Sequence, residues 1–327
     1  MKSPSALASM ALLSCLGLAP MATLAAESGF PSRPVTLVIP FPPGGATDVN
    51  GRIIGQRLAR ELGQPVVIEN RAGAGTIIGA SYVSKAAPDG YTLLVSSGTT
   101  FTVNPAIRAN LPYDPVKSFE PIGIAGRIAL ILLANSEVPV QTVRQFVDYV
   151  KASPGKYSYA SFGTGTTAHF AGETILHAAG LKMTHVPYKG SAPAMTDLMG
   201  GQVAFSVDTV GAAIPQLKSG KIKAIAVTTA RRSSLLPEAP TLAESGYPDI
   251  DMDSWLILAA PGGLPADAKV RLEKALAATM ADPDTRARLS AQGLDPAYSN
   301  AAVASALINR ELPVMRAVAA RANITAD

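Results

Sequence analysis

The stretch FPPGGATDVNGRIIGQRLARELGQP (residues 41–65) joins a Pro/Gly loop to an amphipathic run. Directly before the loop, VTLVIPF (35–41) is a short β-branched run that is typical of a strand. After the loop, apolar residues recur at helical spacing at Val49, Ile53, Ile54, Leu58 and Leu62. Gly63 then marks the end of this helix. The pattern predicts a strand, a loop and a helix, with glycines at the helix N-terminus.

The rest of the chain repeats this alternation, which predicts parallel strands with crossover helices on both faces. The pattern restarts after FEPIGIAG (119–126), so two α/β units follow each other. Strands are predicted at 65–70, 91–97, 128–136, 157–163, 183–188, 203–209 and 222–229. The Pro-rich stretch 235–251 suits a crossing between domains. SWLILAAP (254–261) and two helical segments, 266–281 and 301–318, complete the chain with no further strand.

The first 26 residues have the layout of a secretory signal peptide. A single lysine, Lys2, precedes an apolar run that ends in small residues near Ala26. A transmembrane helix is the competing interpretation, but Gly17 and Pro20 interrupt the run. Cys15 also loosely fits a lipoprotein processing site. Cleavage near Ala26 would remove Cys15, so the sequence predicts a periplasmic mature chain without cysteine. Such a chain excludes cysteine-based catalysis.

Size and charge narrow the class of protein further. A chain of 327 residues with 48% hydrophobic residues is large enough for two domains with separate cores. The formal net charge of +4 is weak, and no cluster of Lys and Arg forms a basic stripe. We therefore expect no nucleic-acid partner.

Three loops that follow predicted strands combine Gly with Ser or Thr: 41–48, 96–105 and 161–169. In doubly wound sheets, ligands bind outside the carboxyl ends of the strands, where helix N-termini converge. Free N–H groups and the helix dipole favour an anion there. Each loop alone would also be explained by ordinary turn and cap residues. Three such loops at equivalent ends of two domains favour an anion site.

The missing motifs indicate which anion. Neither G-x-x-x-x-G-K-[ST] nor G-x-G-x-x-G occurs, so a nucleotide phosphate is disfavoured. Loops with neutral donors and few Arg or Lys suit a carboxylate, whose charge two or three N–H groups can satisfy. No cofactor is expected.

Enzyme and metal interpretations receive little support from the sequence. His169, Glu173 and His177 fall at i, i+4 and i+8 of one predicted helix. The two histidines would lie about 12 Å apart along the axis, too far to share one metal ion. G-x-S-x-G is absent, so a serine hydrolase is also disfavoured. We expect neither a metal site nor catalytic residues.

The motifs taken together resemble a known family, the tripartite tricarboxylate transporter substrate-binding proteins, also called the Bug family. The resemblance covers the chain from about Phe30. It rests on PSRPVTLVIPFPPGGATDVNGR, VVIENRAGAG, AAPDGYTLL, LPYDPVKSFEPI, SFGTGTTAH, VPYKGSAPAMTDLMGGQVAFSVD, KIKAIAVTTARRSSLLPEAPTLAESGYP and APGGLPADA, in this order. One departure is that the family more often has Gly and Asn at the positions of Thr76 and Ile77.

The resemblance implies a type II periplasmic binding protein, not an enzyme. Its fold consists of two doubly wound α/β lobes joined by two crossing strands, the Venus-flytrap architecture. The implied divisions are a signal peptide over 1–26, a discontinuous first lobe over 27–125 and 250–327, and a second lobe over 126–249.

The resemblance further implies that loops of both lobes clamp a small carboxylate: a di- or tricarboxylate, an acidic amino acid or an aromatic acid. The matching positions are Phe41, Gly44, Gly45, Asp48, Ser97, Thr99, Gly163, Thr166, His169 and Asp208. The implied partners are the large and small membrane subunits of a tripartite transporter, and the implied state is a monomer. A periplasmic sensor that signals to a membrane receptor and a secreted enzyme on the same fold are the alternatives.

Overall fold

The computed structural model describes residues 29–325 of the chain, and the predicted signal peptide lies outside this range. The strands of this part are β1 (Val35–Ile39), β2 (Val66–Asn70), β3 (Thr92–Ser96), β4 (Phe119–Asn135), β5 (Ser158–Ser161), β6 (Thr184–Pro187), β7 (Phe205–Thr209), β8 (Ile222–Val227), β9 (Asp253–Pro261), β10 (Leu294–Asp295) and β11 (Ser299–Asn300).

The helices alternate with these strands. They are α1 (Ala46–Leu62), α2 (Ile77–Ser84), α3 (Asn104–Ile107), α4 (Val143–Lys151), α5 (Thr167–Ala179), α6 (Ser191–Met199), α7 (Val210–Leu217), α8 (Ala266–Ala281), α9 (Pro283–Ala291) and α10 (Ala301–Ala322). A 3-10 turn (Ala74–Thr76) precedes α2, and a π-helical turn (Thr99–Val103) precedes α3. Within residues 29–325, none of the helices is both long and apolar enough to cross a membrane.

Two sheets share one long strand, β4. In the first sheet the order is β2-β1-β3-β9-β4, with β1 parallel to β2 and β3 and with β9 antiparallel to its neighbours. In the second sheet, β4 lies between β7 and β8 and is antiparallel to both. β5 and β6 extend this sheet as parallel strands.

β4 passes from one sheet to the other between Ala129 and Leu130. Ala129 is the last residue paired with β9, and Leu130 pairs with Thr209 of β7. The chain returns from the second sheet next to this point, where the Thr228 N–H donates to the Leu130 carbonyl (3.0 Å) and the Met252 N–H donates to the Thr228 carbonyl (2.9 Å). Two crossing segments therefore join the two α/β units. The limits of the lobes at residues 125 and 250 remain predictions.

Each sheet carries a hydrophobic core on each of its two faces, as a doubly wound arrangement requires. In the first sheet, α1, α8 and α9 cover one face, and α2 and α10 contribute to the other. In the second sheet, α4 and α5 pack on one face and α6 and α7 on the other. A fifth cluster joins the units, because Met315 and Val318 of α10 pack against Phe170 of α5.

The prediction of no strand after residue 261 was wrong, because the short strands β10 and β11 follow it, and helix α9 was not predicted either. Asp282 caps α9 by accepting from the Thr285 N–H (2.9 Å), and Pro283 occupies the first helical position. This Asp-Pro pair is a helix-start signal that could have located the helix. β10 and β11 contain two residues each, too few to form a detectable pattern.

Candidate binding cleft

A cleft opens between the two α/β units, at the carboxyl ends of β1, β5, β6 and β7. It encloses about 150 Å³. The first unit contributes the loop after β1 and the start of α1, and the second contributes the loops that lead into α6 and α7. The lining residues are Phe41, Pro42, Pro43, Gly45, Ala46, Thr47, Phe162, Lys189, Gly190, Ser191, Ala192, Pro193 and Thr209.

The N-terminus of α1 presents uncapped backbone donors to this cleft. Gly45 is the N-cap residue in an extended conformation, and no side chain in the described part of the chain accepts from the first turn. Ala46 and Thr47, the first two helical residues, line the cleft. Their N–H groups have no acceptor within the helix, and the helix dipole adds positive potential at the same place.

Asp48 holds the shape of the loop in front of α1. Its buried carboxylate accepts from the Gly44 N–H (2.9 Å), the Asn70 amide (2.8 Å) and the Arg52 guanidinium (3.0 Å). Burial works to raise the pKa of Asp48, but these hydrogen bonds and the charge of Arg52 outweigh it and hold the pKa below the usual range. The Asp48 carboxylate is thus fully engaged in the loop, as is the Gly44 N–H.

The N-terminus of α6 forms the opposite wall. Its N-cap residue is Gly190 (φ 108°), and its first turn donates to no side chain of residues 29–325. Ser191 and Ala192 supply the free N–H groups, because the third helical residue is Pro193. Gly190 lies against Pro42 of the first unit, since a Cβ atom added to it would be 3.2 Å from Pro42 Cγ. The two walls are therefore in contact at this point.

Asp208 lies directly behind the second wall and is completely buried. Its Oδ1 accepts from Ser191 Oγ (2.8 Å) and from the Thr209 N–H (2.7 Å). Its Oδ2 has no hydrogen-bond partner among residues 29–325. Burial raises the pKa of Asp208 to about 6, although the bonds from Thr209 and Ser191 act in the opposite direction.

Ser97 and Thr99 are buried where the two units touch. The Thr99 N–H donates to Ser97 Oγ (3.3 Å). Thr99 Oγ1 accepts from the Thr167 N–H at the start of α5 (3.2 Å). This bond ties the loop after β3 to a helix of the second unit.

The loop before α5 is held by its own side chains. Thr166 is the N-cap residue, and its hydroxyl also donates to the Gly163 carbonyl (2.7 Å). His169 Nδ1 accepts from the Gly165 N–H (3.2 Å), so its proton resides on Nε2. The His169 ring stacks on His185, with centroids 3.9 Å apart, and burial lowers the pKa of His169 to about 4. A neutral imidazole therefore supports this loop.

The ten predicted site residues thus fall into three groups. Phe41 and Gly45 line the cleft. Three residues make hydrogen bonds that support the cleft walls without lining the cleft: Gly44, Asp48 and Asp208. The remaining five lie at the contact between the units and in the loop before α5: Ser97, Thr99, Gly163, Thr166 and His169.

Sequence reasoning missed the wall formed by Lys189, Gly190 and Ser191. The signal was present, because VPYKGSAP (186–193) repeats the order of strand, glycine and helix start seen at 35–48. As for metal ions, residues 29–325 contain no group of three or more His, Cys, Asp or Glu side chains that could hold one.

Comparison with known proteins identifies the family. The model of the tripartite tricarboxylate transporter family receptor, TctC, matches residues 51–323. The chain belongs to this family. The TctC and Bug proteins are periplasmic binding proteins and not enzymes, so the resemblance found in the sequence is confirmed.

Solved structures confirm the fold of this TctC-family receptor. The periplasmic binding protein BugD is 35% identical, with a TM-score of 0.84, and the match covers 90% of this chain and 99% of BugD. A protein of R. palustris solved with adipate is 34% identical, with a TM-score of 0.87 and coverage of 90% and 99%. MatC of Rhodopseudomonas palustris, solved with malate, is 32% identical, with a TM-score of 0.82 and coverage of 88% and 99%.

Proposed function

We propose that this receptor captures a small carboxylate in the cleft and delivers it to the large and small membrane subunits of a tripartite transporter. One observation carries the proposal: the uncapped N-termini of α1 and α6 reach the same cleft from opposite sides. Two helix N-termini aimed at one position form an anion site, because unpaired N–H groups and two dipoles act together.

The composition of the walls favours a carboxylate over a phosphate. Lys189 is the one cationic residue among the lining residues, and no Asp or Glu is among them. A carboxylate carries a single charge that a few N–H donors and one lysine can satisfy. Two relatives were solved with small dicarboxylates, one with adipate and one with malate, which supports the proposal.

Capture would proceed by closure of the two units around the ligand. Ligand contacts from both walls form together only when the walls are close, so the ligand favours the closed form. Bending is expected at the two crossing segments near Leu130 and Thr228. Export through the predicted signal peptide over residues 1–26 would place the receptor in the periplasm.

The experiment is a thermal-shift screen of the chain from residue 27 onward, unfolded and refolded to remove any acid that copurifies. Acids with one to three carboxylates are compared with their neutral amides and with phosphate. A ligand at 100 times its Kd stabilises the folded state by about 2.7 kcal/mol, which moves the midpoint by several degrees. Shifts confined to acids support the proposal. A shift with phosphate or with the amides, and none with any acid, contradicts it.

A further inference from the structure

Two hydroxyl groups on the α6 side of the cleft donate their protons to the same atom. Ser191 Oγ donates to Asp208 Oδ1 (2.8 Å), and Thr209 Oγ1 is 3.4 Å from the same oxygen. The Thr209 N–H also donates to Oδ1 (2.7 Å), which identifies this oxygen as the acceptor in every one of these contacts. A proton on the carboxyl group would therefore reside on Oδ2, and the two hydroxyls would still donate to Oδ1.

The consequence concerns what these hydroxyls offer to a ligand. A hydroxyl has one proton and two lone pairs, so a committed proton leaves only acceptor capacity. Thr209 Oγ1 already accepts from the Ala212 N–H (3.3 Å) as the cap of α7. Ser191 Oγ accepts from no group among the described residues, and Ser191 lines the cleft. Ser191 thus keeps acceptor capacity on its Oγ beside the free N–H donors at the starts of α1 and α6.

We propose that Ser191 selects acids that carry a hydroxyl group, and that Asp208 is the positioning residue that turns Ser191 into an acceptor. This inference rests on the proposed function and names the substrate class of the same cleft: small hydroxycarboxylates. The carboxylate of such a ligand accepts from the N–H groups at the starts of α1 and α6. The hydroxyl of the ligand donates to Ser191 Oγ.

A hydroxyl fits the position better than an ammonium group, although both are donors. The positive ends of two helix dipoles point to the cleft, and the cationic residue Lys189 lies in its lining, so a second cation is disfavoured. The nearest carboxylate, Asp208, lies behind the wall and already accepts from Ser191 and Thr209. The electrostatic balance of the cleft therefore selects the neutral donor.

Calorimetric titration with matched acids tests the inference. The probes are succinate with malate, adipate with 2-hydroxyadipate, and phenylacetate with mandelate. Wild type is expected to bind the hydroxylated member of at least one pair about 3- to 10-fold more tightly than its partner, the worth of one hydrogen bond between neutral groups. The readout is the ratio of the two Kd values, which a general loss of folding or affinity does not change.

Four variants separate the roles. Ser191→Ala is expected to reduce the ratio to about 1, because the acceptor is gone. Asp208→Ala frees the Ser191 proton and is expected to remove or reverse the preference. Asp208→Asn keeps an amide oxygen for Ser191 and Thr209 and should preserve it. Thr196→Ala deletes an exposed hydroxyl on α6, which bonds only to the Ala192 carbonyl, and should behave as wild type.

Two results with acids that do bind overturn the inference and leave the proposed function intact. One is equal affinity for both members of every pair that binds. The other is an undiminished preference in Ser191→Ala. If none of the six acids binds while the thermal-shift screen detects another acid that has no hydroxyl group, the inference fails and the proposed function stands; a screen in which no acid causes a shift contradicts both.

Discussion

Thr76 stands out at the scale of single residues, because a β-branched residue there has φ 84°. It follows Ala74 (φ 46°) and Gly75 (φ 59°), so three successive residues have left-handed backbone. The Thr76 hydroxyl accepts from Thr100 Oγ1 (2.8 Å) and from the Asn104 amide (3.2 Å), which holds this conformation. Gly, the residue that the resemblance implies at this position, adopts such a conformation without strain.

We therefore expect Thr76→Gly to be more stable than Thr76→Ala by about 1–2 kcal/mol, the cost of a left-handed L-residue. Both variants lack the hydroxyl, so their difference isolates the backbone strain. The measurement is the free energy of unfolding in denaturant. Ala306, on the exposed face of α10, is the control, where Gly should instead be less stable than Ala by about 1 kcal/mol. Equal stability of the two Thr76 variants would argue against strain.

The stacked pair His169 and His185 makes a second prediction at this scale. Burial lowers the pKa of His169 to about 4, and burial together with His169 lowers that of His185 to about 3. Both values lie below the value of about 6.5 for an unfolded chain. Above that pH neither state is protonated, and stability is lost as the pH falls from about 6.5 towards 4, because only the unfolded chain takes up protons.

His185→Phe retains a ring for stacking but cannot titrate. We expect its free energy of unfolding to fall less than that of wild type between pH 6.5 and 4.5, by roughly 2 kcal/mol. Denaturant titrations at the two pH values measure the difference. Asp208 has a raised pKa and therefore contributes a dependence of the opposite sign, but it is common to both proteins. Parallel pH profiles would contradict a neutral buried pair.

At the scale of elements, the N-terminus of α1 carries the most direct prediction. Ala46→Pro removes one N–H at the first helical position, which tolerates proline, and the preceding Gly45 is extended (φ −79°, ψ 166°), as a proline requires. Loss of a hydrogen bond to a charged ligand should raise the Kd for the bound acid about 10- to 100-fold with little change in Tm.

Two matched variants serve as controls for this prediction. Ala46→Val adds similar bulk to the cleft but keeps the N–H. Ala266→Pro makes the same substitution at the first position of α8, after the extended Pro265 (φ −56°, ψ 143°) and outside the cleft. Both control variants should bind the acid much more tightly than Ala46→Pro does. If Ala46→Val loses as much affinity as Ala46→Pro, bulk explains the effect and not the lost donor.

The elements also indicate what the sequence could predict. Helix α1 and its loop followed directly from apolar spacing and glycine placement, because these local signals agree with the fold. The length of β4 (Phe119–Asn135) was not predicted, since the sequence pattern placed the start of this strand only at residue 128. In the structure Gly123 and Gly126 admit close backbone contacts: a Cβ on Gly126 would lie 2.2 Å from the Asp295 carbonyl oxygen. Such contacts with β10 and β11 join distant parts of the chain and leave no local pattern.

The same distinction applies to the candidate site. Gly45 and Phe41 were found because they belong to a strand, loop and helix unit that is contiguous in sequence. The link between Ser191 and Asp208 joins residues 17 positions apart in two different helix-start regions. No spacing rule predicts that link, since it depends on how α6 packs on β7.

At the scale of the whole molecule, we propose that a carboxylate is held between two units that close around it. The contact of Gly190 with Pro42 permits a direct test, because a Cβ on Gly190 would lie 3.6 Å from Pro42 Cβ. That separation is within the range of about 3.5–4.5 Å found in disulfides. A chain that begins at residue 27 lacks Cys15, so Pro42→Cys with Gly190→Cys would contain one cysteine pair.

The most direct test of capture between the two units is the retention of a labelled acid during dialysis. It is measured for the oxidised and the reduced form of this double variant. The single variants control for the strain of a cysteine at Gly190 (φ 108°) and for the loss of Pro42. We expect that oxidation after loading traps the acid, that reduction releases it, and that oxidation before loading prevents binding. Equally fast release from the oxidised and reduced forms would contradict capture between the two units.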